Sequence, residues 1–164
     1  MLRDPSLAPL SRQHQHALAL CVRIKRALAP AAPQQQRGPR APDAWRREVA
    51  QLFEAEIQHH FDAEEQLLFP AARQRDGMEP LVEKLLAEHS QLRSYVQQAQ
   101  AGTLDEAGLV ALAELLSAHI RSEEGELFET MQRAFSAAEL AALGEQTAAF
   151  FMARGLTGPA CGLP

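Results

Sequence analysis

Four segments of the chain place apolar residues at alternating steps of three and four, and each of these stripes is interrupted once by a histidine. The first runs Leu7, Leu10, His14, Ala17, Cys21, Ile24, Leu28, and the second Val49, Phe53, Glu56, His60, Glu64, Leu67. The third runs Val82, Leu85, His89, Leu92, Val96, Ala99, and the fourth Leu109, Leu112, Leu116, His119, Glu123, Leu127. This spacing puts every member of a stripe on one face of a helix. Four helices that each need to hide one face predict an all-α protein. The short connections between the second, third and fourth force antiparallel neighbours, so the expected architecture is an up-down-up-down four-helix bundle. Ser136 and Glu139 form a capping box that opens a short extra C-terminal helix running to about Met152.

The breakers set the boundaries. Pro30 stops the first helix, and residues 31–42 read as a Pro/Gln/Arg linker between the first and second helices. Asp43 is placed to cap the second helix, which is expected to end near Arg75, ahead of Asp76-Gly77. The bundle domain then spans residues 1–153, and residues 154–164, rich in Gly and Pro, form a loose tail. Ala, Leu, Gln and Glu dominate the 164 residues and β-branched residues are few, which favours helix throughout. A net charge of −5 argues against a nucleic-acid partner. No apolar run approaches the ~20 residues that cross a bilayer, and the N-terminus lacks the apolar core of a signal peptide. The cysteines Cys21 and Cys161 do not suggest a disulfide framework, so the expected compartment is the cytoplasm, with no membrane partner. Cys21 reads as a small core residue.

One imidazole in a helical core is ordinary. Four of them, with Glu64 and Glu123 on the same faces, would bury several polar groups that need partners. The string His60-Phe61-Asp62-Ala63-Glu64-Glu65 recurs in thinned form as His119-Ile120-Arg121-Ser122-Glu123-Glu124, so each copy aims an imidazole and a carboxylate the same way. At ~1.5 Å per residue the four histidines fall within a turn or so of one level. The candidate metal ligands are therefore His14, His60, Glu64, His89, His119 and Glu123. Periodicity prefers His14 to His16 and His60 to His59. Imidazoles and carboxylates without thiolate suit Fe, Mn or Zn rather than Ca or Mg. Two carboxylates able to span two ions favour a dinuclear centre, and iron fits it best, with Zn or Mn as substitutes. Glu56 is either an outer acceptor for an imidazole N–H or an exposed edge carboxylate, and Glu65 and Glu124 read as outward rather than bridging. A ferritin-like carboxylate bundle would need two Glu-x-x-His motifs, and Glu56-Ile57-Gln58-His59 stands alone.

Leu10-Ser11-Arg12-Gln13-His14, His60-Phe61-Asp62-Ala63-Glu64-Glu65 with Leu68-Phe69-Pro70, Glu88-His89, and His119-Ile120-Arg121-Ser122-Glu123-Glu124 together resemble the hemerythrin-like (HHE cation-binding) domain family over residues 7 to 135. The resemblance implies two irons, oxo- or hydroxo-bridged, with His14 and His60 on one, His89 and His119 on the other, and Glu64 and Glu123 between them. Oxygen-carrying members have a further histidine one turn before the position of His89, where this chain has Leu85, and a last carboxylate that would fall at Glu124 rather than Glu123. The chain is more similar to the four-histidine members. The expected function is a di-iron protein handling O2, NO, peroxide or iron. The alternative is a non-enzymatic metal- or redox-sensing module acting on a protein partner that the sequence does not identify.

Overall fold

The computed structural model describes residues 3–28 and 42–156, and within them the chain is an all-α bundle. Helix α1 is Ala8–Leu28, and α2 runs from 42 to 73. Helix α3 is Glu79–Gln100, α4 runs from 106 to 134, and α5 is Ala137–Met152. Side-chain pairs fix the sense of each neighbouring pair. Arg3, just ahead of α1, bonds Gln132 at 2.9 Å while Lys25 bonds Ser117 at 3.1 Å, so α1 and α4 run in opposite directions. Gln13 with His60 and Arg23 with Glu48 give the same result for α1 and α2. Arg93 with Asp62 and Arg73 with Glu79 do so for α2 and α3, and Lys84 with Ser122 and Glu88 with His119 for α3 and α4.

Local chemistry explains most boundaries. Helix α2 begins at Pro42, whose fixed φ and missing N–H suit a first helical position. Asp43 therefore lies inside the first turn, where its carboxylate pairs with Arg46, and not before the helix. Pro42 is correspondingly helical and not linker, and the rest of the 31–42 segment lies outside the described residues. Helix α2 stops at Arg73, slightly before the expected Arg75. Asp105 caps α4 by accepting from Gly108 N at 2.7 Å. The Ser136/Glu139 capping box forms as the sequence implies. Past α5, Gly155 takes φ +69° and lets Leu156 N reach Phe151 O at 2.9 Å, a left-handed helix stop that packs Leu156 against the core. Ordered packing thus continues through Leu156, and residues 157–164 lie outside the described residues.

The long helices are not α-helical throughout. Helix α2 contains two π-helical turns, Phe53–Ile57 and Glu64–Leu68, and α4 contains one, Glu123–Leu127. In each the closing amide reaches back five residues: Gln58 to Phe53 O, Phe69 to Glu64 O, Phe128 to Glu123 O. A π turn inserts a residue and rotates everything after it. That rotation buries Ile57 where the simple period points Glu56 inward, and Leu68 where it points Leu67.

The core falls into two apolar halves. One gathers Ala17, Cys21, Ile24, Val49, Phe61, Leu92 and Leu116, and the other Leu10, Leu68, Phe69, Leu85, Phe128 and Met131, with Leu143 and Phe151 of α5 covering it. Phe61, Phe69 and Phe128 are fully buried at the junction, where each side chain of this size contributes about 1.5–3 kcal/mol through burial. The polar residues of the stripes lie between the two halves.

Candidate metal centre

Each of the four long helices delivers one imidazole to that junction. His14 comes from α1, His60 from α2, His89 from α3 and His119 from α4, and all are at most 2% exposed. Glu64 and Glu123, wholly buried, head the π-helical turns that follow His60 and His119. The repeated His-x-x-x-Glu string is thus a repeated piece of geometry: one helical turn from imidazole to carboxylate, then a π turn.

The Nε2 atoms meet in pairs, His14 with His60 at 2.8 Å and His89 with His119 at 3.0 Å. The carboxylates run between the pairs. Glu123 sets Oε2 3.1 Å from His14 Nε2 and Oε1 3.1 Å from His119 Nε2. Glu64 sets Oε1 3.1 Å from His60 Nε2 and Oε2 3.5 Å from His89 Nε2. Two clusters result, His14/His60/Glu64/Glu123 and His89/His119/Glu64/Glu123, each able to hold a cation and sharing both carboxylates. All six residues expected from the sequence are brought together.

The outer ring nitrogens are engaged as well. His14 Nδ1 lies 2.6 Å from Glu124 Oε1, His89 Nδ1 2.7 Å from Glu65 Oε1, His119 Nδ1 2.8 Å from Glu88 Oε2, and His60 Nδ1 2.8 Å from Gln13 Oε1. A carboxylate can only accept, so it holds the imidazole proton at Nδ1 and turns the Nε2 lone pair inward. Glu65 and Glu124 do not enter either cluster, in keeping with the outward reading, yet they orient the rings. Glu88 and Gln13 do the same and carry no such expectation from the stripes. Their signal in the sequence is adjacency: each of the four is the immediate neighbour of an inward histidine or glutamate.

The packing of aromatic rings holds the imidazoles in place. Phe61 stacks on His89 at 3.7 Å between centroids, Phe69 lies on the same imidazole at 5.4 Å, and Phe128 stacks on His14 at 5.7 Å.

Electrostatics shows what charge the cluster favours. Both oxygens of Glu64 and both of Glu123 are buried without a hydrogen-bond partner among the described residues. Lone pairs facing each other at 2.8–3.0 Å repel unless a proton or a cation lies between them. Burial disfavours a charged His14, but the Glu123 carboxylate 3.1 Å from its Nε2 and the Glu124 carboxylate on its Nδ1 outweigh it and lift its pKa to about 9. Burial likewise opposes charge on His119, and Glu123 overrides it, raising the pKa to about 10. His89 also moves up, against burial, through Glu64 and Glu65. Glu123 moves down despite its burial because His119 and His14 face it. Glu65 is lowered to about 2, first by its hydrogen bond from His89 and then by Arg93. Without metal, protons supply the positive charge this cluster demands. A metal ion fits the same place: donors about 2.1 Å from one ion and at right angles stand about 3.0 Å apart, close to the spacings found here.

The other candidates resolve differently. Glu56 is a half-buried edge carboxylate and pairs with His16 at 2.9 Å, away from the cluster. His59 joins neither cluster, so the Glu56-x-x-His59 motif supplies no residue to the centre. Cys21 is buried, forms no disulfide among the described residues, and packs as a small core residue. Leu85 is fully buried, one turn before His89, where it adds packing and no donor.

A helical bundle with buried, shared His/Glu clusters defines a metal-binding domain. The family model "Hemerythrin HHE cation binding domain" matches residues 7–131, and the chain belongs to this family. No curated protein and no solved structure matches the chain.

Proposed function

We propose that the chain is a di-iron protein in which His14 and His60 hold one ion, His89 and His119 the other, and Glu64 and Glu123 bridge them. The observation that carries this reading is the set of four unpartnered carboxylate oxygens facing two opposed imidazole pairs. Imidazole and carboxylate donors without thiolate favour iron, with Zn or Mn able to substitute. Six side chains fall short of filling two six-coordinate ions, and Leu85 supplies an apolar wall where a further donor would stand. Bound iron supplies one-electron redox chemistry and coordination positions for a small molecule. The protein's own part is to fix the rings through Glu65, Glu88, Glu124 and Gln13, and to exclude water with Phe61, Phe69 and Phe128.

The packed surroundings favour a small reactant such as O2, NO or peroxide, and their apolar character suits the weakly polar O2 and NO best. Beside Phe61 lies an apolar cavity of about 20 Å³, lined by Leu20, Cys21, Ile24, Leu92 and Leu116 among others, a little more than one water molecule needs and of a character that suits O2 or NO. No helix among the described residues is long and apolar enough to cross a membrane, and the cysteine usage fits a cytoplasmic setting. Anaerobic, Fe(II)-loaded protein mixed with O2, NO or peroxide in a stopped-flow spectrophotometer is expected to develop visible charge-transfer bands with at least one of them. Bands absent with all three would overturn the small-molecule reading.

A further inference from the structure

Three of the four imidazoles end on an anion and the fourth does not. Glu124, Glu65 and Glu88 stand behind His14, His89 and His119, and each has a cation beside it: Arg3 at 2.5 Å, Arg93 at 2.7 Å and Lys84 at 3.8 Å. Behind His60 stands the Gln13 amide, whose Oε1 accepts at 2.8 Å. The six inward residues form two chemically matched halves, and this amide breaks the match.

An amide differs from a carboxylate in two ways. It carries no charge, so it pushes less electron density into the ring and leaves Nε2 a poorer donor. It is also both donor and acceptor. Turned over, its NH2 would donate to Nδ1 and move the ring proton to Nε2, the form that cannot bind an ion. A carboxylate offers no such alternative, so His14, His89 and His119 stay in the binding tautomer.

We propose that Gln13 is a positioning residue that makes His14/His60 the weaker of the two metal positions, filled second and emptied first. This rests on the two-ion reading above. Exchange of metal, and entry of an exogenous ligand that displaces an imidazole, would then occur at His60.

The test is a titration of metal-free protein with Zn(II), followed by histidine-ring NMR. The first equivalent is expected to shift the His89 and His119 rings and the second those of His14 and His60, with affinities at least about tenfold apart. Gln13→Glu should tighten the second step by about tenfold and Gln13→Ala should loosen it. Glu65→Gln, which gives His89 the same amide partner, should weaken the first step. Equal affinities, the reverse order of filling, or Gln13→Glu and Gln13→Ala moving the second step the same way would overturn the proposal. Failure to take up Zn(II) at all would overturn the two-ion reading and this inference with it.

Discussion

Removing the metal is expected to lower the melting temperature by on the order of 10 °C. An ion present at a thousand times its dissociation constant stabilises the folded chain by about 4 kcal/mol, and a domain of this size loses about 2–4 °C per kcal/mol. The gap should also depend on pH, with a defined sign. His14 and His119 are raised to about 9 and about 10 in the metal-free protein. Their contribution to metal-free stability is therefore complete below about pH 6.5 and fades as pH rises through those values. Metal binding has to displace the same protons, so affinity should tighten by up to about tenfold per pH unit for each displaced proton between pH 7 and 9. Loaded and metal-free melting temperatures consequently diverge on going from pH 7 to 9. Scanning calorimetry with and without chelator, at three pH values, checks both the size and the direction.

Glu123→Gln is expected to weaken both metal positions at once, each by more than the roughly 10–100-fold that loss of an outer hydrogen-bond partner costs. The reason is geometric: Glu123 gives one oxygen to His14 and the other to His119. His119→Ala removes a donor from one cluster only and should leave the other able to bind. Metal content after dialysis separates the two outcomes. Equal loss in Glu123→Gln and His119→Ala would mean that the two clusters do not bind separately. Circular dichroism of the Glu123→Gln chain checks that it still folds, since the neutral amide costs less to bury than a carboxylate but gives up the charge that faces His14 and His119.

Much of this centre was legible in the sequence because burial leaves a periodic trace. A histidine at a position where Leu or Val belongs stands out on a 3.6-residue stripe, and all six inward residues were found that way. The π turns were not legible. They change the period for one turn without any special residue, so the simple stripe points Glu56 inward where the structure buries Ile57. The ring-orienting residues escaped for a different reason. Gln13, Glu65, Glu88 and Glu124 sit at the margin of the buried face, half-covered, where a stripe has no contrast to offer. Only the chemistry of an imidazole that must give its second N–H to something identifies them, and it needs the helix spacing to say which neighbour receives it.

Two ions on one shared pair of carboxylates give the protein a fixed metal stoichiometry. Metal analysis of the purified chain after anaerobic reconstitution with Fe(II) and desalting tests it most directly. Two irons per chain are expected, falling to about one in His119→Ala. One iron per chain in the wild type, or none, would contradict it.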